Sequence, residues 1–209
     1  MTMSYTTLFE KGGNDVPHHS HDFDPVRLVQ METSRRDIFP PHMTLDHFLV
    51  RPDMVIADIG CGPGYYAIEA AQRLPEGQVY AIDRQQDMLE WTKKRAQNSG
   101  LTNLMVLKAS ADQIPLEAES LDAVLMANVL HDLPDHARVV TEVYRLLKPG
   151  GTYFLVEWDK IPTEFGPPLE IRFTPSELMN LLNHHHFEHI QQIEAPAPWF
   201  QIRAKKPTH

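Results

Sequence analysis

Residues 55–71 read VIADIGCGPGYYAIEAA. An apolar run ends in an aspartate, Gly60, Gly62 and Gly64 follow at every second position, and an Ala-rich stretch begins. No other stretch constrains the chain as strongly. A buried strand ends near Ile59, turns sharply through glycines and enters a helix. In open α/β sheets ligands gather beyond the carboxyl ends of such strands, where the order of strands reverses. The glycines therefore read as a binding loop, although a strand-to-helix turn alone also uses them.

The rest of the chain agrees with an alternating plan. MVIADIG, QVYAID, NLMVLKA, LDAVLMAN and GTYFLVEW read as five strands. Helices are expected at Tyr66 to Leu74, Gln86 to Ser99 and Pro134 to Leu147, with Gly100 placed to cap the second. Lys148-Pro149-Gly150-Gly151 turns the third into the fifth strand. Thr174 and Glu177 form a capping-box pattern at the start of another helix. HIQQIEA and WFQIRAKK read as two last strands, and their short connection demands an antiparallel hairpin. Strands alternating with helices argue a mainly parallel sheet covered on both faces. Residues 26–50 read as two helical pieces, with Pro40-Pro41 opening the second. Residues 1 to about 24 read as a polar arm or lid. The expected division is an N-terminal arm and helical cap over 1–42 and one domain over 43–209.

The 209 residues, 42% of them hydrophobic, suffice for one substantial core. A net charge of −9 with scattered basic residues argues against nucleic acid or an anionic membrane as partner. The single cysteine, Cys61, excludes an intramolecular disulfide and a cysteine-based zinc site. The start, MTMSYTTLFEKGG, lacks a signal-peptide pattern, and no apolar run approaches a membrane span. A reducing, cytoplasmic setting is expected.

A dinucleotide loop prefers G-x-G-x-x-G with pyrophosphate on the helix N-terminus. Here the third glycine comes one residue early, Pro63 has no N–H, and Tyr65 and Tyr66 occupy the turn. The D-x-G-x-G-x-G pattern instead resembles the first motif of class I S-adenosylmethionine-dependent methyltransferases. KASADQIPLEAESLDAVLMANVLHDLPD and the LKPGG turn extend the resemblance to the menaquinone- and ubiquinone-biosynthesis branch, over roughly residues 45–195. The resemblance implies a Rossmann-like, doubly wound, mainly parallel seven-stranded sheet with an antiparallel C-terminal hairpin and an N-terminal helical cap. It also implies S-adenosylmethionine as cofactor and S-adenosylhomocysteine as product. Gly60, Cys61, Gly62 and Gly64 would pass along the amino-acid part, and Asp58 would face its ammonium. Asp83, 25 residues on, would accept the ribose hydroxyls, or equally cap the next helix. Arg84 and Met88 would flank the adenine, Met88 being equally readable as core. Ser110, Ala111 and Asp112 take the adenine-reading place, and Asn128 closes the fourth strand.

Methyl transfer from a sulfonium is an in-line displacement governed by alignment, and a carbon or oxygen acceptor also needs a base. His131 and Asp132 are the candidates, followed by Glu157 and Asp159; His131 reads equally as a buried structural histidine. Neither histidine cluster, His18, His19 and His21 with Asp22 or His184 to His186 with His189, has convincing ligand spacing, so no metal is expected. One cysteine makes arsenic an improbable acceptor, and a small molecule is expected. Phe9, Phe23 and Phe39 are read as covering the acceptor pocket. Three functions stay open: a small-molecule methyltransferase, an NAD-dependent oxidoreductase, and a non-catalytic binding protein that keeps the cofactor fold.

Overall fold

The computed structural model describes residues 23–208. Helices α1 (Pro25–Ile38) and α2 (His42–Leu45) precede the sheet. The alternating part runs β1 (Val55–Ile59), α3 (Ala67–Arg73), β2 (Gln78–Asp83), α4 (Gln86–Asn98), β3 (Leu104–Lys108), β4 (Leu121–Ala127), α5 (His136–Leu146) and β5 (Leu147–Trp158). It closes with α6 (Pro175–His184), β6 (Glu188–Ile193) and β7 (Trp199–Lys205).

The seven strands lie in the order β3-β2-β1-β4-β5-β7-β6. β1 to β5 pair in parallel, and β7 runs antiparallel between β5 and β6. From β1 the chain first winds outward to β3, then returns to the other side of β1 at β4. That reversal places the switch point between β1 and β4, where the glycine loop begins.

Period-two alternation divides the core. Ile56, Ala123, Leu125 and Phe154 face one layer with Phe39, Leu45, Ala67, Ala70 and Leu74. Ala57, Ile59, Val124, Met126 and Tyr153 face the other, against Val139, Val140 and Val143 of α5 and Leu178 and Leu182 of α6. The valines of α5 recur at three- and four-residue spacing and so make one apolar stripe.

Two local outcomes, at β5 and at Phe39, differ in detail from the sequence expectation, and the end of α6 is closed without a glycine. Helix α5 stops at Leu146, and β5 already begins at Leu147. Lys148 to Gly151 are absorbed as an irregularity between the pairs Leu121–Leu147 and Ala123–Thr152. Helix α6 has no glycine at its end, yet it closes in a Schellman arrangement. His186 takes φ +65°, its N–H donates to Asn183 O (3.1 Å), and Phe187 N–H donates to Leu182 O (3.1 Å). This break separates His185 from His189, so the two do not share a helical face. Phe39 is fully buried against Trp199, with ring centroids 5.7 Å apart, and belongs to the core rather than to a cover. Phe9 and the His18 to Asp22 cluster lie outside the described residues.

Candidate active site

β1 and β2 are registered so that Ile59 pairs with Ile82, and the glycine loop leaves the sheet beside Asp83. The N–H groups of Gly60 and Cys61 both donate to Ile82 O, at 2.8 and 3.0 Å. Gly62 N–H donates to Asp83 Oδ2 (3.0 Å), and Gly64 N–H to Cys61 O (3.0 Å). Pro63 has no N–H. Every amide from residue 60 to residue 64 is therefore spent inside the protein. Thr92 Oγ1 donates to Gly62 O (2.9 Å) and Arg95 Nη1 to Pro63 O (2.8 Å), fixing the loop from α4.

Gly60, Gly62 and Gly64 all have positive φ. At Gly60 a Cβ would also lie 2.4 Å from Val129 Cγ2, so the space the sequence reserved for a ligand is filled by the Val129 side chain. Cys61 is buried, and burial pushes its thiol pKa up, with Asp58 and Asp83 adding to the rise. A neutral thiol is a poor nucleophile, so Cys61 is a packing residue of the loop.

Two carboxylates flank this loop. Asp58 is 2% exposed; the Ala67 amide bonds to it, while its Oδ2 is buried without a partner. Burial, reinforced by the charge of Asp83, raises its pKa to about 7. Asp83 also rises through burial, opposed by the Gln85 and Gly62 amides. Its Oδ1 accepts Gln85 N–H (2.9 Å), so each oxygen already holds a backbone donor. Two acids beside the loop favour a cation or a hydroxyl donor and repel a phosphate.

The facing wall comes from β4 and β5. Ile59 pairs with Met126, which brings Asn128 level with Cys61. Asn128 has φ +57°, and its Oδ1 is buried without a partner. Asparagine is one of the few non-glycine residues that adopt this left-handed conformation readily. The turn of 3₁₀ helix at Leu130–Asp132 follows. Glu157, fully buried at the end of β5, accepts Leu130 N–H with Oε1 (2.8 Å) and holds His131 Nδ1 with Oε2 (2.5 Å). His131 Nε2 lies 3.5 Å from Asp132 Oδ2. Burial pulls the His131 pKa down, but Glu157 and Asp132 outweigh it and the net shift is upward. His131 and Glu157 thus form one unit, while the Asp159 carboxylate accepts the N–H of its neighbour Lys160.

Helix α1 covers the loop, and it holds residues the sequence did not single out. Glu32 makes a two-pronged ion pair with Arg95 at 2.6 and 2.8 Å. Arg35 lies over the rings of Tyr65 and Tyr66, at 4.4 and 5.2 Å from their centroids. Arg36 pairs with Glu69. Tyr65 Oη donates to Phe39 O (3.0 Å). These side chains lie apart in sequence from the loop, and helical periodicity in α1 is weak, so only the fold reveals them.

The adenine-side candidates are spread along the ends of β2 and β3. Arg84, Gln85 and Lys108 line an open cleft with Phe23 and Asp24, and the Gln85 side chain pairs with the Phe23 backbone at 3.0 and 3.1 Å. Met88 is 1% exposed within the core. Ser110 Oγ donates to Asp112 Oδ1 (2.5 Å), and Asp112 pairs with Arg138 (3.2 Å). Ala111 packs against the α5 side of the core. Among the described residues no group of histidine, cysteine and acidic side chains is arranged to hold a metal ion, and no helix is long and apolar enough to cross a membrane.

Comparison with known proteins gives this geometry its class. Residues 57–155 match the family described as a methyltransferase domain. Demethylmenaquinone methyltransferase from Geobacillus kaustophilus is 34% identical over 110 residues, covering 52% of this chain and 47% of that protein. The chain thus spans about half the length of the curated relatives it matches. A SAM-dependent methyltransferase structure from Aquifex aeolicus is 28% identical, with a TM-score of 0.81, covering 88% of this chain and 99% of that one. Human N-acetylserotonin methyltransferase, solved in complex with SAM, shares the fold at 21% identity and a TM-score of 0.68, covering 88% of this chain and 57% of its own. Residues 57–155 are thus similar to a methyltransferase domain, and the chain shares its fold with S-adenosylmethionine-dependent methyltransferases.

Proposed function

We propose that this chain binds S-adenosylmethionine at the glycine loop and transfers its methyl group to a small-molecule acceptor. One observation carries the reading: residues 60–64 keep no amide for an anion, while the buried Asp58 Oδ2 has no partner. A pyrophosphate needs free N–H groups at this turn. The same features count against NAD and fit a ligand whose end is an ammonium.

S-adenosylmethionine supplies a methyl group already activated by its sulfonium. Asp58 would hold the ammonium end, and Asp83 would accept ribose hydroxyls. Gln85, Arg84 and Ser110 to Asp112 would border the adenosine end. A buried site of this kind supplies alignment, the main requirement of an in-line displacement. Where the acceptor is carbon or oxygen, its proton would pass to the His131–Asp132 pair, which Glu157 orients.

In this reading residues 1–42 are an arm and cap on one cofactor-binding domain, 43–209, supported by the Glu32–Arg95 and Arg36–Glu69 pairs that tie α1 down. The charge of −9 supports a small acceptor over nucleic acid, and the lone cysteine supports a reducing, cytoplasmic setting. The relatives named for demethylmenaquinone make a quinone precursor the first acceptor to assay.

Parallel calorimetric titration with S-adenosylmethionine, S-adenosylhomocysteine and NADH tests the cofactor. Stoichiometric binding of both sulfur ligands, lost in Asp83→Ala, is expected. Binding of NADH alone would overturn the reading.

A further inference from the structure

The loop between β5 and α6 leaves the sheet at the carboxyl end of β5, just after Glu157 and Trp158, and is built round one side chain. Resting on the methyl-transfer reading above, we propose that Arg172 is a positioning residue for the His131–Glu157 pair: it locks this loop against Trp158 and keeps an unneutralised positive charge beside the pair.

Arg172 is 5% exposed. Its Nε donates to Pro167 O (2.8 Å), its Nη1 to Ile161 O (2.9 Å) and Asp159 O (3.4 Å), and its Nη2 to Thr163 Oγ1 (2.7 Å) and Phe165 O (3.2 Å). Every donor of the fork is thereby spent on loop oxygens. The guanidinium lies over the Trp158 ring, 5.1 Å from its centroid, and Phe165 meets the same ring edge-on at 5.7 Å. Gly166 lets the loop lie flat on the indole: it has φ +104°, and a Cβ there would come 2.8 Å from the ring. An ammonium, with three donors and no fixed plane, cannot reproduce this set of bonds.

Carbonyl dipoles solvate the charge of Arg172 without cancelling it. Among the described residues no carboxylate pairs with this side chain, and an arginine stays charged even when buried. The charge sits close to His131. Asp159, held by Arg172 through its carbonyl, lies two residues beyond Glu157, and Phe173, the residue after Arg172, meets the His136 ring edge-on at 4.9 Å. Glu157 on β5 and Asp132 in the same turn favour the imidazolium of His131, Arg172 disfavours it, and His136 at the start of α5 adds a mutual repulsion. Without Arg172 the two acids would hold the proton on His131 to higher pH. Arg172 thus keeps more of the neutral imidazole, the form that can take a proton.

Imidazole NMR titration reads the His131 midpoint, and hydrogen exchange reads the loop, in wild type, Arg172→Gln and Arg172→Lys. Arg172→Gln removes the charge and keeps donors for loop carbonyls. Its His131 midpoint should move up by about half a pH unit or more, and exchange over 161–166 should accelerate about tenfold or more. Arg172→Lys keeps the charge and loses the fork, so the loop should loosen while the midpoint stays near that of wild type. Equal midpoint shifts in the two variants would assign the effect to loosening rather than to charge and overturn the proposal. An unmoved midpoint in Arg172→Gln, or a loop equally protected in every variant, would overturn it as well. Should Arg172→Gln not fold, Arg172→Lys decides: a loosened loop with an unmoved midpoint supports the assignment, and a moved midpoint overturns it. Calorimetric titration of wild type with S-adenosylmethionine runs alongside. Failure to bind would overturn the methyl-transfer reading, and with it the role of the pair in taking the acceptor proton, while the midpoint and exchange results answer for Arg172 itself.

Discussion

Glu157 and His131 meet at 2.5 Å, Oε2 to Nδ1, in a contact buried on both sides. The second Glu157 oxygen holds the Leu130 amide, so one carboxylate sets both the turn and the imidazole. His131 is raised despite its burial, because Glu157 stabilises the imidazolium. A raised base is neutral only at higher pH. If His131 takes the acceptor proton, kcat should rise with pH through a value above 6.5. Glu157→Gln removes the charge, and burial then pulls the pKa down. The ascending limb should move to lower pH, while kcat at its plateau falls about 10-fold or more from lost orientation. A pH–rate profile of the variant checks this, and an unmoved limb would exclude His131 as the titrating base.

Asp58 makes the opposite trade. Burial holds the proton on Asp58 up to about pH 7, against an ordinary value of 3.8. The native state therefore binds more protons than the unfolded chain between these values, and its stability falls as pH rises through them. That rise corresponds to at most about 4 kcal/mol. Asp58→Asn should raise stability at pH 8 by about 1–3 kcal/mol, several degrees in Tm, while abolishing cofactor binding. Wild-type affinity should weaken as pH falls below about 7, approaching tenfold per unit, because an ammonium requires the charged acid. Thermal melts and calorimetry across pH measure both effects, and a less stable Asp58→Asn protein at pH 8 would contradict the account.

The fold was legible because its signals are local. Gly100, the capping pair Thr174 and Glu177, and the apolar runs each determine nearby backbone without reference to the rest of the chain. The loop acids Asp58 and Asp83 were legible for the same reason, each closing a strand. Two kinds of information were not. Val129 filling the space above Gly60 depends on strand register between β1 and β4, which no single segment encodes. Glu32 and Arg35 matter only because α1 crosses the loop, and their separation from Arg95 and Tyr65 hides them. Lys148 to Gly151 read as a turn, but they lie within β5, whose start is set by pairing of Leu147 with Leu121.

Gly60→Ala tests the contact with Val129. The substitution faces φ +71° and a Cβ placed 2.4 and 2.7 Å from the two Val129 methyl carbons. The left-handed backbone costs about 1–2 kcal/mol, and the overlap about 1–3 more. Adding Val129→Ala should return the packing part and leave the backbone part. Chemical denaturation of the two single variants and the double variant separates these terms. Strict additivity would show that Gly60 and Val129 do not press on each other.

The Glu32–Arg95 pair ties the cap to the loop, because Arg95 holds Pro63 O with the same guanidinium that grips Glu32. The side chains are 11% and 25% exposed, so the pair is only partly screened. Glu32→Gln leaves Arg95 with a neutral partner and should cost about 1–2 kcal/mol. That loss falls on an interface rather than on the sheet core. Hydrogen exchange should therefore accelerate over 25–38 and 60–66 while β1, β4 and β5 keep their protection. In the proposed cofactor reading, affinity should drop several-fold in step, since Arg95 ties α1 to the glycine loop. Uniform loss of protection across the sheet would instead make the pair a part of the global core, and an unchanged affinity would separate the cap from the cofactor.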